Sequence, residues 1–575
     1  METETVKRGF AFRISHQPDS QTLWCTAVLG VVGFLLLYPL SLLLWNSFQV
    51  AQPNREVAIG LANWVTALTE PGMVAAILNT VWLTLVLQLI SFPVAILIVW
   101  LLARTDLPGK DWIDFLFWIA FFAPSLPITL GWILLLDPDF GLVNQSLKAV
   151  FSLEQGPFNV YSFWGIAWVH LATRSVVVKV ILLTPFLRNL DSSFEEASRV
   201  SGVGPLRTIA RVVVPLLLPA VLVVLLMSVI HLLESFEIEQ VLGPPSQFYV
   251  YSTMIYRLLQ FEPPEYGAAT ALAVMILAVM TPLILLQQWV SRSRRYTTVT
   301  GQFHGRRFPL GVWKWPAFAA ILGTGLFFTV LPLGFLGLAT FMRLFGFFNL
   351  PDPWTIDHWQ RVMSDPIFLR SLANTILLAG GTVTLAMISF PLIAYIAVRT
   401  RFRGRHILDF LSWLPIAIPG LILGLGFLWL FLGTPVLRPL YGSIVVLILA
   451  AGISSMTLGV QLVKTNLLQL GQELEEASWV AGGSWFYTVR RVILPMLTPV
   501  LVTVGLVAFI SAARNIAGIA LLVTNRNRPL AMLQLDYMVD GRYEAAAVVG
   551  IIVLLLTTGV ALLARLFGLQ IGIRT

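Results

Sequence analysis

Glu195-Glu196-Ala197-Ser198, then Gly202, then Val214-Pro215, returns later in the chain as Glu475-Glu476-Ala477-Ser478, Gly482 and Leu494-Pro495. Every position is displaced by the same 280 residues, as from Ser198 to Ser478. Each copy reads as a short helix, a glycine break and a basic amphipathic segment, Leu206 to Arg211 or Tyr487 to Arg491. A proline then opens a long apolar run. Ser193 precedes Glu196 by three residues, the spacing at which a serine caps a helix and a glutamate reaches back. Gln472 stands near the start of the second copy, so its first turn is expected to be looser. Gly202 and Gly482 can adopt the left-handed backbone that turns a chain sharply after a helix. Pro215 and Pro495 suit the first turn of the helix that follows. Chance would rarely keep this internal spacing twice.

The surrounding composition fixes the solvent. The 575 residues are 57% hydrophobic and 11% charged, more apolar surface than a water-soluble fold of this length can hide. Apolar runs of about 20 residues point to helices rather than to the short alternating segments of a β-barrel. A single cysteine, Cys25, excludes a disulfide framework and a thiolate metal cluster. The net charge of +8 comes from arginines that flank apolar runs, which speaks for a lipid bilayer and against nucleic acid as the partner.

Spans are expected at roughly 23–45, 74–102, 113–136, 161–186, 213–233 and 266–290, and again at roughly 316–341, 372–398, 408–432, 441–463, 492–513 and 545–567. The first lacks a small-residue cleavage site and is long enough to cross, so it reads as a retained helix. The expected fold is an all-α polytopic membrane protein, twelve transmembrane helices in two parallel six-helix repeats. The halves are 1–290 and 316–575, joined by a polar linker at 291–315. Asn79-Thr80 is echoed by Asn374-Thr375, Ser91-Phe92-Pro93 by Ser389-Phe390-Pro391, and Asp114-Phe115-Leu116 by Asp409-Phe410-Leu411. These offsets lie near 295, so the first half should carry a longer segment after its third helix. Six spans per half give both the same orientation, related by an axis along the membrane normal. With the N-terminus inside, about two-thirds of the 37 lysines and arginines fall on the cytoplasmic side. Both Glu-Ala-Ser segments, the linker and both termini are then cytoplasmic. The stretches 47–73, 234–264, 342–371 and 514–544 are expected as loops on the far side.

The doubled Glu-Ala-Ser and glycine pattern resembles the coupling loop of ABC importer permeases. The chain as a whole looks like a fused permease of the binding-protein-dependent importers, with the type I fold, in a bacterial inner membrane. The resemblance implies two cytoplasmic ATP-binding subunits, an identical pair, one on each loop, and an extracytoplasmic solute-binding protein. Glu195, Glu196, Ala197, Ser198 and Gly202, with Glu475, Glu476, Ala477, Ser478 and Gly482, would be the coupling residues. No Gly-x-x-x-x-Gly-Lys-Ser/Thr phosphate loop occurs here, so ATP and magnesium belong to the partners; the chain itself is expected to be no enzyme and to hold no cofactor. Leu233-Glu234-Ser235-Phe236-Glu237, Leu242-Gly243-Pro244-Pro245, Val250-Tyr251-Ser252-Thr253-Met254-Ile255-Tyr256 and Pro263-Pro264-Glu265-Tyr266-Gly267 are similar to the ferric-iron-type permeases. Permeases for thiamine, polyamines and phosphonates share the architecture. Ferric-type chains often carry Arg-Glu where this one has Arg514-Asn515.

Ionisable residues within or beside spans mark the expected path. Arg174 falls near the middle of the fourth span and Lys179 five residues on, where charge is costly unless it faces water or a partner. Cationic walls favour an anion, or a metal carried as an anionic complex; an intramembrane ion pair, or a lysine snorkelling to the headgroups, is the plainer reading. Glu234, Glu237 and Glu239 lie at the outer end of the fifth span. They would suit a hard ferric ion, or form no more than a solvated helix end. Shifted by 280, Glu234 falls on Arg514 and Ser235 on Asn515. Glu234 and Arg514 are therefore expected to pair across the path in the closed state, as a gate that a double charge swap would restore. His170 and His231 could line it. The 19 tryptophans fit interfacial belts. A secondary transporter also uses parallel halves but needs no motor and no paired loops. A membrane enzyme finds no support, for want of a His/Asp/Glu cluster with metal-ligand spacing.

Overall fold

The computed structural model describes residues 20–50, 58–188, 197–198, 200–293, 308–348 and 350–566. Among them, ten helices are long and apolar enough to cross a membrane, or twelve spans if each of two bent helix pairs counts as one. The first segment holds α1 (Ser20–Ser47), α2 (Met73–Arg104), the bent pair α3 (Lys110–Phe122) and α4 (Ser125–Leu136), α5 (Phe163–Arg188), α6 (Val214–Leu233), α7 (Glu237–Leu242), α8 (Tyr251–Leu259) and α9 (Tyr266–Ser293). The second holds α10 (Gly311–Ala339), α11 (Pro366–Arg399), the bent pair α12 (Arg405–Ala417) and α13 (Gly420–Gly433), α14 (Ile444–Gln469), α15 (Glu473–Val480), α16 (Leu494–Ala513), α17 (Leu530–Val539) and α18 (Tyr543–Leu566).

The third span of each half is not straight, contrary to the sequence reading. The chain bends by 98° between α3 and α4 and by 113° between α12 and α13. Pro124 and Pro419 stand at the breaks. Proline lacks the amide a helix needs and drives its predecessor into extended backbone, and Ala123 and Ile418 have ψ of 133° and 113°. The arms beyond the breaks are buried all round, from Leu126 through Leu135 and over most of Leu421 to Phe431. A helix apolar on every face belongs inside protein.

The halves exchange their first helices. α1 lies on α13 and α9, and the end of α10 lies on α4. Each crossing sets a proline over a glycine: Pro39 faces Gly426, and the Pro332 carbonyl faces Gly131. Behind them α2, α5 and α6 pack as one group, and α11, α14 and α16 as its counterpart.

Two expected loops prove to be folded and buried. Within 234–264 the chain turns back as α7 and α8, burying Ile238, Val241, Leu242, Met254, Ile255 and Leu258; within 514–544 α17 is buried along nearly its whole length. The longer segment after the first half's third span is present as residues 137–162, with a helix at Leu142–Phe151, against 434–443 in the second half.

Candidate functional site at the seam between the halves

α5, α6 and α7 meet the α12–α13 break and the end of α16 around a cavity of about 480 Å³. Its lining includes His170, Arg174, Lys179, His231, Glu234 and Glu237 from the first half, and Arg514 and Asn515 from the second. The structure thus brings Arg174, Lys179, Glu234, Glu237, Arg514 and Asn515, expected from the sequence, to one space, with Glu239 left outside the lining. The chemistry is one-sided. Positions displaced by 280 line the same cavity as Arg174 and Ser454, Val178 and Leu458, and Glu237 and Ala517, and among the described lining residues Arg514 is the sole ionisable group from the second half.

Glu234 and Arg514 share the cavity, and in this conformation each has another partner. Arg514 Nη1 donates to the Phe121 carbonyl at 3.0 Å. That carbonyl lies in the last turn of α3, where the break removes its helical donor. Glu234 Oε1 instead lies 2.9 Å from His231 Nδ1. Both residues cap helix C-termini, Glu234 on α6 and Arg514 on α16. The negative end of a helix dipole suits an arginine there and disfavours a carboxylate, which turns to its own histidine.

Glu237 accepts from the Ser125 hydroxyl at the start of α4. Arg174 lies within electrostatic reach of Glu237 and Glu234, and Arg514 of Arg174 and Glu237. Arg174 lies within a π turn at Leu171–Ser175 and lines the cavity. Lys179 is 1% exposed; its ammonium donates to the Ser175 carbonyl at 2.9 Å and sits 4.9 Å from the centre of the Phe92 ring. It neither snorkels outward nor joins an ion pair among the described residues.

Glu239 is no solvated helix end. It is fully buried, with Oε1 2.8 Å from His170 Nε2 and Oε2 accepting from Ser235 Oγ at 2.8 Å. This ties α5 to α7 beside the cavity. No group of three or more His, Cys, Asp or Glu among the described residues is arranged to hold a metal ion. Ser454, Gln287, Gln534 and the Phe121 carbonyl also meet the cavity or its rim. The sequence reading missed them because they are neutral; the 280-residue shift of Arg174 onto Ser454 was the available signal.

At the repeated stretch, Glu195 and Glu196, with Ser193, lie outside the described residues. Ala197 is exposed and Ser198 half-buried, and the Ser198 hydroxyl lies 2.9 Å from that of Thr208. Ser478 repeats this with Thr488 at 2.8 Å. Gly202 and Gly482 take φ of +75° and +84°, the left-handed turn expected of them. Gln472 makes no side-chain cap. Glu475 is buried, 3.1 Å from Arg399 Nε, and accepts from the Tyr395 hydroxyl at 2.9 Å, while Glu476 and Ala477 face out. At the tips Val200 is 89% and Val480 90% exposed.

A seam cavity between two parallel helical halves, each with a matched exposed elbow, is the build of a solute permease. Residues 22–296 and 387–571 match the profile of the binding-protein-dependent transport system inner membrane components, and the chain belongs to that family, with two copies fused. It is 27% identical over 452 residues to the ferric transport system permease protein FbpB of Actinobacillus pleuropneumoniae, covering 76% of this chain and 63% of that one. The chain therefore spans less than two-thirds of that relative's length. Similarity to the Fe(3+)-transport system permease protein FbpB 2 of Haemophilus influenzae is 22% over 532 residues, covering 92% and 95%. The molybdenum transport system permease protein ModB of Escherichia coli is 28% identical over 232 residues, 40% of this chain and 97% of that one.

Proposed function

We propose that this chain is the membrane subunit of an ATP-driven importer that passes a small solute from a solute-binding protein to the cytoplasm by alternating access. Ferric iron held in an anionic complex is the foremost cargo. The observation that carries this reading is the pair of elbows: two left-handed-glycine turns in matched register, each with a Ser–Thr hydroxyl contact and an exposed valine two residues before the glycine. An apolar tip left in water needs a partner surface, and two alike need two alike partners. Those partners are ATP-binding subunits holding ATP and magnesium, docked on the cytoplasmic side that the arginine asymmetry defines. Glu196 and Glu476 would contact them, and Arg174, Lys179, Glu234, Glu237, Arg514 and Asn515 would line the path.

The cavity's basic side chains, Arg174, Lys179 and Arg514, outnumber the two carboxylates Glu234 and Glu237 among its described lining residues. This favours iron travelling with an anion over a bare ion. A small oxyanion such as a phosphonate fits the same walls; thiamine and polyamines, being cationic, fit them poorly. The test is uptake into proteoliposomes containing the chain, its binding protein and its ATPase. Uptake should require ATP, and Val200→Asp with Val480→Asp should uncouple it. Uptake driven by an ion gradient without the ATPase would make the protein a secondary transporter instead.

A further inference from the structure

Lys179 and Gly459 are separated by 280 residues, and each lies against the phenylalanine of a Ser-Phe-Pro triplet. In the second half the backbone of α14 approaches Phe390 so closely that a Cβ on Gly459 would collide with the ring. In the first half the same place is held open by a lysine standing over Phe92. A mere spacer in a membrane would be apolar, because an uncompensated charge there costs several kcal/mol. The ring face offers partial compensation. Of the three donors of the ammonium, one is used, by the Ser175 carbonyl. Arg174, five residues earlier and within the π turn, lines the same cavity and has its Nε buried without a hydrogen-bond partner. Two cations from one helix thus line one cavity with donors still unused, and Ser454 and Leu458 line the same cavity.

We propose that Arg174 and Lys179 form an oxyanion subsite within the path, and that Ser454 and Leu458 of the second half supply a neutral stretch of wall against which the bound group slides. The ligand is a compact phosphate-, phosphonate- or carboxylate-type group, either as the free ion or as the outer face of a ferric complex. This deepens, and rests on, the importer reading above.

The full chain in lipid nanodiscs is titrated calorimetrically with inorganic phosphate, with citrate and with ferric citrate. At least one should bind, and Lys179→Met should weaken it by about tenfold or more, the loss of one hydrogen bond to a charged group. Lys179→Arg should keep the affinity within about threefold, since it preserves the charge. Lys179→Gly, which copies the second half, should behave like methionine and serves if the methionine variant fails to fold. Binding of phosphate or citrate alone assigns the free ion; binding of ferric citrate only assigns the complex. Unchanged affinity in Lys179→Met or Lys179→Gly, or no binding of any probe to the wild type, overturns the subsite. The importer reading fails separately, if the wild-type chain with its binding protein does not stimulate the partner ATPase.

Discussion

The Pro332 carbonyl passes over Gly131 so closely that any side chain at that position would overlap it. The neighbour is backbone and cannot swing away, so the crossing of α10 over α4 depends on glycine. The counterpart is looser: a Cβ on Gly426 would stand 3.1 Å from that of Pro39. Gly131→Ala should therefore lower stability by about 1–3 kcal/mol, the usual range for overpacking, and Gly426→Ala by less. Thermal unfolding in detergent checks the order. Equal effects at the two sites would show that the crossings do not bear on stability as the geometry requires.

Arg514 reaches across the seam to the Phe121 carbonyl, and a glutamate cannot replace it, because a carboxylate accepts and does not donate. Arg514→Gln should cut uptake by roughly tenfold or more, in line with about 1.5–3 kcal/mol for a hydrogen bond to a charged group. The double exchange of Glu234→Arg with Arg514→Glu should stay impaired. Full recovery in the exchange would mean that the two side chains pair directly during the cycle.

Much of this was legible beforehand because lipid makes spans readable as apolar runs and duplication makes register readable by subtraction. The shift of 280 residues alone placed Glu234 opposite Arg514 on the same cavity. What stayed hidden depends on long-range packing. Pro124 and Pro419 look no different from Pro93 or Pro391, which sit inside long helices without breaking them. At the first break the Phe121 carbonyl, left without its helical donor, is met by Arg514 from the other half. Likewise the stretches 234–264 and 514–544 read as loops because α7, α8 and α17 are too short for a span, and the exchange of α1 and α10 leaves no local trace.

Asp106, in the turn between α2 and α3, stitches the end of the linker to the first half. Its Oδ1 accepts from the Leu310 amide at 2.9 Å, and Lys314 lies 3.4 Å from Oδ2. The Leu310 amide, aided by Lys314, holds this carboxyl below the ordinary range against a smaller desolvation effect. A depressed folded-state pKa means that the contact stabilises fully above about pH 4, the ordinary value for aspartate, and is lost as the pH falls through the lower folded value. Hydrogen exchange at Leu310, corrected for intrinsic rates, should lose protection in that acidic window. Asp106→Asn should remove the pH dependence. Protection that is flat with pH in the wild type would contradict the stitch.

Glu475 and Glu476 are adjacent but face opposite ways. The side chains of Glu475 and Arg399 are 4% and 5% exposed, and Tyr395 and Trp485 close over them, with Trp485 Nε1 donating to the Tyr395 hydroxyl at 3.2 Å. Removing one member of such a pair leaves a buried charge alone, which costs about 3–5 kcal/mol. Glu475→Ala should therefore lower the unfolding temperature and the yield, and Glu475→Gln combined with Arg399→Met should recover much of the loss. Glu476 is exposed at the elbow, so Glu476→Ala should change stability by no more than about 0.5 kcal/mol. It should nonetheless weaken stimulation of the partner ATPase, since it removes a charge from the surface that the partner would grip. If Glu476→Ala destabilised the chain while Glu475→Ala only uncoupled it, the inner and outer faces of α15 would have to be exchanged.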